Sequence, residues 1–224
     1  MVNAPPVVFY GSSGYAAMIA DFVESRISAP LARVVAYIDD FRGDEGMTIG
    51  AAPVITFQTW AATMRDIPVF VSPGNPNSRR LLSERIAQAG GRFESFARIT
   101  GAIASDLVIG EGSLILEYVS VGSRTTIGRH VHVMPLASIG HGCTIGDYCA
   151  VAPMSAVFGR VVLESGVYVG VGARVVNESS DVMTIGAGAT IGAGAVVLRS
   201  VEPGETLVGN PATDLRSFAR RHPS

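Results

Sequence analysis

The sequence contains no lysine, only two cysteines and a single tryptophan. All 17 basic residues are therefore arginines, which by itself does not indicate phosphate recognition. With 19 acidic residues the formal net charge is -2, so the charge balance gives no reason to expect a nucleic-acid partner. Cys143 and Cys149 are too few for a disulfide-stapled secreted scaffold, and we expect reduced thiols.

Long apolar runs are also missing. No stretch approaches the roughly 18 apolar residues of a membrane-spanning helix, and residues 1–6 carry no basic segment of the kind that opens a signal peptide. We therefore expect a cytoplasmic protein without membrane insertion. A chain of 224 residues can form one large domain or two small ones.

Aliphatic residues recur at every sixth position over most of the second half of the chain. A period of six fits neither an α-helix, at 3.6 residues per turn, nor a plain strand, at two. It is typical of a hexapeptide-repeat β-helix, in which three hexads make one triangular coil and the aliphatic side chain points inward. The uninterrupted series is Ile103, Ile109, Ile115, Val121, Ile127, Val133, Ile139, Ile145, Val151, Val157, Leu163, Val169 and Val175, and it resumes at Ile185, Ile191 and Val197.

The break in this series lies between Val175 and Ile185, which are ten residues apart instead of six. We expect the polar segment 177–181 to leave the coil as a surface loop, a place where binding residues are often found.

The first hundred residues alternate short apolar segments with helical ones. This alternation predicts a small parallel, Rossmann-like α/β sheet with right-handed crossovers. The predicted strands are 7–10, 34–38, 69–71 and 93–97, and the predicted helices are 15–26, a short one around Trp60, and 79–89. Because the hexads begin near Gly101 without a long linker, we predict two domains, residues 1–100 and residues 101–224, the second ending in a C-terminal tail.

An α/β domain, then hexapeptide repeats, then the segment Val208-Gly209-Asn210-Pro211-Ala212 is a combination that resembles bacterial sugar-nucleotide acetyltransferases of the hexapeptide-repeat superfamily. The most similar in pattern are N-acetyltransferases of UDP- or GDP-linked 4-amino-4,6-dideoxy sugars, together with sialic-acid O-acetyltransferase-like proteins. The resemblance covers nearly the whole chain. It implies a homotrimer of left-handed β-helices, acetyl-CoA in the groove between adjacent prisms, and a nucleotide sugar held mainly by the N-terminal domain.

The resemblance assigns the general base to His141, in the segment Ile139-Gly140-His141-Gly142-Cys143. Acyl transfer from a thioester needs a nucleophile that gives up its proton near neutral pH, where imidazole titrates. His141 is the second residue after Ile139 and is expected to point out of the prism. The alternative is a solvated histidine on the surface of a coil.

Two departures from the family pattern lie close to His141. Relatives usually have Glu or Asp directly after this histidine, where this chain has Gly142, and Asp147 is either a substitute or the ordinary polar corner of its hexad. Upstream, Met134 and Pro135 stand where relatives have a polar Asn-Thr type pair, so Met134 is expected at the acceptor and the acceptor itself is expected to differ.

His130 and His132, together with His141, raise the question of a metal site. The γ-class carbonic anhydrases share the β-helix and bind zinc through three histidines, but the spacing here does not match theirs. His130 and His132 share a parity and are expected to face outward. We expect no metal.

For acetyl-CoA, the resemblance implies mostly backbone contacts. His141, Gly159 and Gly192 are expected on successive coils of one stack, and the phosphates are expected near arginines. The expected CoA-binding residues are Gly159, Gly192, Ala193, Arg199, Arg216 and Pro211 in the turn 210–212. For each glycine the alternative is a coil corner that needs its conformational freedom.

In the N-terminal domain, Gly11-Ser12-Ser13-Gly14-Tyr15 follows a strand and opens a helix, an arrangement that can receive an anion. It is not a G-x-G-x-x-G fingerprint. The residues expected to bind the nucleotide sugar lie at the carboxyl ends of predicted strands, where open α/β sheets bind ligands. They are Gly14, Tyr15, Asp39, Asp40, Gly74, Asn75 and Arg79, for which turn formation or helix capping is the alternative.

Three functions are consistent with these residues. The leading prediction is an acetyl-CoA-dependent N-acetyltransferase acting on a nucleotide-linked amino sugar, of the 4-amino-4,6-dideoxy type, for surface polysaccharide or glycan synthesis. The second is O-acylation of a sugar or another small hydroxyl acceptor, which the missing acid after His141 disfavours. The third is a non-catalytic homologue, which the departures at Gly142, Met134 and Tyr15 motivate.

Overall fold

The computed structural model describes residues 4–25, 29–98, 100–210 and 213–214. The chain divides into two compact units, Met1–Phe96 and Ala97–Ser224. Within the described part of the chain, no helix combines the length and the apolar character needed to cross a bilayer.

The N-terminal unit is built on a five-stranded sheet. Its central strand pairs in parallel with a neighbour on each side, as the alternating pattern predicts, and one edge is a short antiparallel hairpin that makes the sheet mixed. In chain order the strands are β1 Pro6–Tyr10, β2 Arg33–Ile38, β3 Thr48–Ile49, β4 Ala52–Ile55 and β5 Val69–Val71, arranged β3-β4-β2-β1-β5. The hairpin was not predicted, because two-residue strands leave almost no periodic signal.

Three helices accompany this sheet, each with a side-chain cap at its first turn. They are α1 Gly14–Glu24 with Ser13 as N-cap, α2 Phe57–Thr63 with Thr56, and α3 Pro76–Gln88 with Asn75. In each case the capping oxygen accepts a backbone N–H that has no partner within the helix. The third helix begins three residues earlier than predicted, because Asn75 caps it and Pro76 supplies a first-turn φ without needing a donor.

The predicted fourth strand, residues 93–97, is divided between the two units. Its first residue, Phe93, extends this sheet only by a single parallel bridge to Val69 of β5. The following strand, β6 Phe96–Ala97, is instead the first strand of an eight-stranded sheet in the β-helix.

The second unit is a left-handed parallel β-helix with three faces. The first face contains β7 Val108–Ile109, β10 Thr126–Ile127, β13 Thr144–Ile145, β16 Val161–Leu163 and β19 Met183–Ile185. The second contains β6, β8 Leu114–Ile115, β11 His132–Val133, β14 Ala150–Val151, β17 Tyr168–Val169, β20 Thr190–Ile191, β22 Thr206–Val208 and β23 Thr213–Asp214. The third contains β9 Ser120–Val121, β12 Ser138–Ile139, β15 Ala156–Phe158, β18 Arg174–Val176 and β21 Val196–Val197.

The aliphatic series fills the interior of this prism, as predicted. From Ile115 to Val197 every member is at most 2% exposed. Cys143 and Cys149 are also buried there as free thiols. Burying each of these side chains contributes about 1.5–3 kcal/mol of hydrophobic free energy, so the stack of coils stabilises itself along its whole length.

The corners of the coils use left-handed backbone conformations. The third residue after the inward aliphatic has a positive φ at one corner after another, and seven of these residues are not glycine: Tyr118, Arg124, His130, Leu136, Tyr148, Met154 and Arg160. The turn therefore imposes the conformation on whichever residue occupies that position.

The predicted loop leaves the coil between β18 and β19, across residues 177–182. The register is restored directly afterwards, because Ile185 pairs with Leu163 of the preceding coil. Three hydrogen bonds within the loop hold it: Asn177 Nδ2 donates to the Asp181 carbonyl (2.7 Å), the Ser179 amide to Asn177 Oδ1 (3.0 Å), and the Asp181 amide to Ser179 Oγ (3.1 Å).

Leu163→Ala should lower the free energy of unfolding by about 2–5 kcal/mol, because Leu163 is fully buried and its removal leaves a cavity in the prism. Urea denaturation followed by circular dichroism measures the loss. Leu198→Ala is the matched control, since Leu198 is 59% exposed and its truncation should cost less than about 0.5 kcal/mol. Equal losses in the two variants would contradict the interior placement of Leu163.

Candidate active site

Two edges of the prism border the third face and carry most of the predicted site residues of the β-helix. The histidine edge follows the third face and comprises residues 122–125, 140–143 and 158–160 on successive coils. The apolar edge precedes the third face and comprises residues 116–119, 134–137, 152–155, 170–173 and 192–195.

His141 lies on the histidine edge with an exposed side chain, as predicted from its position after Ile139. Its backbone is fixed by the stack: the His141 carbonyl accepts the Arg160 amide of the next coil (3.3 Å), and the Gly142 amide donates to the Ser123 carbonyl of the coil before (2.9 Å). The imidazole is thus presented outward from a rigid strand corner, the arrangement a general base needs.

The carboxylate of Asp147 does not serve His141 in this arrangement. Both of its oxygens are engaged by Arg129: Oδ1 accepts the Arg129 amide (2.8 Å), and Oδ2 accepts Nε (3.1 Å) and Nη2 (2.9 Å). Burial opposes ionisation of this carboxyl, but the hydrogen bonds and charge of Arg129 hold the pKa of Asp147 below its usual value. Of the two readings of Asp147, the geometry favours the polar corner of its own hexad.

Gly159 and Arg199 lie at the position that His141 occupies, on later coils of the same edge. Gly159 has a φ of +82°, and a Cβ there would overlap the carbonyl oxygen of Asn177. Glycine is therefore required at residue 159 by the loop above it. Arg199 is exposed and forms an ion pair with Glu205 (3.6 Å), so a phosphate would have to compete with that carboxylate.

Gly192 is not in the stack of His141 and Gly159, and that prediction is wrong. It follows β20 of the second face and lies on the apolar edge, at the same position of its coil as Met134. The four extra residues stay in the loop, and Ile191 is the second inward residue after Val175, so the count of hexads itself places Gly192 after the second face. Its amide donates to the Leu207 carbonyl (2.8 Å), so it is committed to the coil and is not available to a cofactor.

The neighbours of Gly192 on this edge differ in exposure. Ala193 is exposed, whereas Met134 is only 6% exposed and its amide donates to the Val151 carbonyl (2.9 Å). The Met134 side chain is therefore not presented to a ligand at the surface of this chain.

His130 and His132 are buried, and their predicted outward exposure is wrong. The His130 ring stacks on Tyr148 of the next coil, with ring centroids 5.4 Å apart and planes 2° from parallel. His132 is fully buried on the second face between Leu114 and Ala150 of the adjacent coils, which are themselves at most 5% exposed. Among the residues that the structure describes, no group of three or more histidines, cysteines or carboxylates is arranged to hold a metal ion.

In the N-terminal unit, the carboxyl ends of β1, β2 and β5 bring the predicted substrate residues to one sheet edge. Asp39 Oδ1 accepts the amides of Phe41 (2.9 Å) and Arg42 (3.2 Å), and its second oxygen accepts the Ser12 hydroxyl. Burial opposes ionisation, but these hydrogen bonds hold the pKa of Asp39 below its usual value. Asp39 is therefore an anion, and its hydrogen bond with Ser12 joins the loop after β1 to the end of β2.

Asp40 belongs to a cluster that the sequence did not suggest. It accepts hydrogen bonds from Arg85, the Phe57 amide (3.1 Å) and the Tyr10 hydroxyl (3.1 Å), while the Arg85 guanidinium lies 3.9 Å over the Phe57 ring centroid. Burial and the Asp40 charge raise the pKa of Tyr10 to about 12, so its hydroxyl remains a donor at neutral pH. Asp40 is engaged from several sides within the protein, and its side chain and that of Arg85 are both partly exposed, at 35% and 42%.

The loop after β5 is organised by Arg79, whose predicted contact with substrate is wrong. Arg79 is fully buried, and its Nη1 donates to the carbonyls of Pro73 (2.7 Å) and Gly74 (3.1 Å). Asn75 caps α3 by accepting the Ser78 amide (3.0 Å), the alternative that its sequence context allowed.

Tyr15 and Gly74 meet across this edge. A Cβ on Gly74 would lie 3.5 Å from the Tyr15 ring, so the two predicted residues are neighbours, and Gly14 beside them is exposed. Pro211, Ala212 and Arg216 lie outside the described residues.

Several residues at these edges were not predicted from the sequence. Tyr10, Phe57 and Arg85 come from three different elements, and only folding brings them together. Arg124 and Arg160 could have been found from the repeat, because each is 18 residues, or one coil, from Gly142.

Known proteins share the hexapeptide repeats and the two-unit fold described above. The family model described as bacterial transferase hexapeptide (six repeats) matches residues 124–159, the stretch that contains His141. A search of curated proteins gives no match.

Solved structures resemble the chain over nearly its full length. WeeI from Acinetobacter baumannii is 28% identical, over 93% of this chain and 99% of its own, with a TM-score of 0.79. A mutant of perosamine N-acetyltransferase from Caulobacter crescentus, in complex with CoA and GDP-perosamine, is 23% identical over 93% and 96%, with a TM-score of 0.82. The acetyltransferase domain of PglB from Neisseria gonorrhoeae, in complex with acetyl coenzyme A, is 23% identical over 95% and 100%, with a TM-score of 0.81. These matches confirm the resemblance found in the sequence: the chain carries the hexapeptide repeats of the bacterial transferases in the two-part fold that these structures share.

Proposed function

We propose that the protein is an acetyl-CoA-dependent N-acetyltransferase whose acceptor is the amino group of a nucleotide-linked 4-amino sugar used in surface glycan synthesis. The observation that carries this proposal is the exposed His141 on a rigid corner of a hexapeptide-repeat prism. Of two solved proteins with the same fold, one is a perosamine N-acetyltransferase in complex with CoA and GDP-perosamine, and the other is an acetyltransferase domain in complex with acetyl coenzyme A. The free, buried thiols agree with a cytoplasmic location.

In the proposed reaction His141 accepts a proton from the acceptor amine as that nitrogen attacks the thioester carbonyl. The new C–N bond forms a tetrahedral oxyanion, which collapses by breaking the C–S bond and releasing CoA with the proton passed to sulfur. A positioned base contributes about 10²–10⁴ in rate to such a step. The exposed imidazole can reach an acceptor without any rearrangement of the prism core.

The nucleotide part of the acceptor is assigned to the carboxyl edge of the N-terminal sheet. Gly14 opens α1, whose first amides point to that edge and favour a negatively charged group. Tyr15 against Gly74 supplies an aromatic wall, and the half-buried Arg85 supplies a cation for which a phosphate would compete with Asp40. Asp39 and Arg79 act here as supports of the loops, since both are held by intramolecular hydrogen bonds.

The distribution of site residues between two edges supports a homotrimer as the proposed assembly. His141, Gly159 and Arg199 lie on one edge, while Ala193 and an exposed apolar column lie on the other. The column is formed by Tyr118 (66% exposed), Leu136 (56%), Met154 (52%) and Val171 (44%), at one corner of four successive coils. If the apolar edge of one copy packs beside the histidine edge of the next, the contact is head-to-tail, and a threefold rotation between copies closes it as a ring. Burial of the column would then complete the groove that holds acetyl-CoA.

Acetyl-CoA should stabilise the protein against heating in a concentration-dependent way, because a ligand that binds only the folded state adds free energy of about 2.7 kcal/mol at a hundredfold excess over Kd. Differential scanning fluorimetry with acetyl-CoA, and with adenosine as the control ligand, measures the shift. No stabilisation at millimolar acetyl-CoA would favour the non-catalytic homologue.

His141→Ala should lower kcat by about 10²–10⁴ while leaving the thermal shift by acetyl-CoA in place, because the general base is lost but the coil is not. The release of CoA with a 4-amino sugar nucleotide is followed by thiol titration, and mass spectrometry of the product distinguishes N- from O-acetylation. Ser123→Ala, at the same position one coil earlier, is the matched control. Turnover of the alanine variant near the wild-type rate would remove His141 from the mechanism.

Leu136→Glu combined with Met154→Glu should convert the trimer to monomers and abolish acetyl-transfer, because two charges would be desolvated in the interface. Sedimentation velocity gives the mass, and circular dichroism checks that the prism stays folded. Val108→Glu is the control, since Val108 is equally exposed (61%) but lies on the first face. A double variant that is still trimeric would place the interface elsewhere.

A further inference from the structure

Two arginines flank an unfilled position next to His141. The backbone bonds from Gly142 to Ser123 and from Arg160 to His141 show that residues 124, 142 and 160 occupy the same corner of three successive coils. Because coils are about 4.8 Å apart, the side chains of Arg124 and Arg160 leave the edge roughly 10 Å from each other, with Gly142 between them.

The backbone does not require a glycine at this position. Gly142 has a φ of +64°, but seven non-glycine residues adopt the same conformation at equivalent corners, including Arg124 and Arg160 themselves. A Cβ on Gly142 would have one atom within 4 Å, the Cγ of Arg160 at 3.2 Å. The absence of a side chain therefore leaves a gap on the edge that the turn itself does not need, and the aliphatic stem of Arg160 partly covers this gap.

Within the described part of the chain, an arginine without an ion pair stands on each side of this gap. Neither Arg124 nor Arg160 takes part in an ion pair within the described residues; Arg160 donates instead to the Ser179 carbonyl (2.7 Å). The nearest acids in the stack lie outside the gap: Asp106, one coil before Arg124, accepts the Arg124 amide (2.9 Å), and Glu178 and Asp181 belong to the loop above.

The edge that follows the first face, here called the neighbouring edge, shows how a carboxylate neutralises an arginine elsewhere in this fold. Arg129 is paired by Asp147, which stands one coil later and contributes its carboxylate to both Nε and Nη2. On the histidine edge the position one coil after Arg124 is Gly142, so the corresponding carboxylate is missing. The difference points to an anion supplied from outside the chain.

We propose that the gap between Arg124 and Arg160 binds a carboxylate of the acceptor, which makes the acceptor an acidic amino sugar. This inference rests on the proposed function, because it takes His141 as the base that meets the acceptor. Guanidinium groups bind carboxylates through directional, charge-assisted hydrogen bonds. A carboxylate held one residue from His141 also stabilises the imidazolium that forms when the base takes the proton.

The test compares two acceptors that differ only at C6. One is a nucleotide-linked 4-amino-4,6-dideoxyhexose with a methyl group, and the other is the corresponding 4-amino-4-deoxyhexuronate, each prepared with UDP and with GDP. We expect kcat/KM to be at least about tenfold higher for the uronate, the gain of one charge-assisted hydrogen bond. Equal values, or a preference for the methyl sugar, would overturn the inference.

Substitutions locate the preference on the edge. Arg124→Gln and Arg160→Gln should each reduce the preference for the uronate about tenfold, and Arg124→Gln does so without touching the Ser179 contact. Gly142→Glu places a tethered carboxylate in the gap and should abolish the preference, whereas Gly142→Gln fills the same volume without charge and should weaken it less. Arg129→Gln, on the neighbouring edge, should leave the preference unchanged; if it has the same effect as Arg124→Gln, the gap is not the site.

Acetyl-CoA binding, measured by calorimetry, separates this inference from the proposed function. A protein that does not bind acetyl-CoA fails the proposed function itself. A protein that binds acetyl-CoA but turns over neither acceptor, or both equally, retains the acyltransferase assignment and loses the acidic acceptor.

Discussion

The burial of one aliphatic side chain in every six is the constraint on which the rest of this structure depends. A triangular coil has no hydrophobic interior of its own, and it becomes stable only when the next coil covers it and pairs its backbone. The inward series from Ile115 to Val197 therefore fixes the register of every outward residue. His141 is exposed, and Cys143 two residues later is buried, because of this register alone.

The same constraint explains why the charged, apolar and candidate catalytic side chains lie at the edges of the prism. The faces are occupied by backbone ladders, whereas each corner presents one side chain in a left-handed conformation on every coil. Side chains 18 residues apart thus become neighbours. This produces the Arg129–Asp147 pair, the apolar column of Tyr118, Leu136 and Met154, and the two arginines around Gly142.

No sequence repeat sets the positions of the site residues in the N-terminal unit. Its site residues come from the ends of strands that are far apart in sequence, and several turn out to hold the loops together. Arg79 is buried beneath the loop that it was expected to help in binding, because two carbonyls there need a donor. The Asp40–Arg85 pair, with Phe57 and Tyr10, could not be read from the chain, since no spacing links β1, α2 and α3.

The sequence alone determined the β-helix, its inward residues, the loop after Val176 and the outward placement of His141, because a strict period converts position directly into direction. It also determined β1, β2, β5 and the three helices, whose apolar segments and caps are local. Tertiary structure decided everything that depends on partners distant in the chain. It buried His130 and His132, whose shared parity indicated exposure, and Met134, which was expected at the acceptor, and it committed Asp147 to Arg129. The position of Gly192, in contrast, follows from the count of hexads. The physical reason is that a repeat specifies how a side chain points, while its burial and its hydrogen bonds depend on what the rest of the chain places against it.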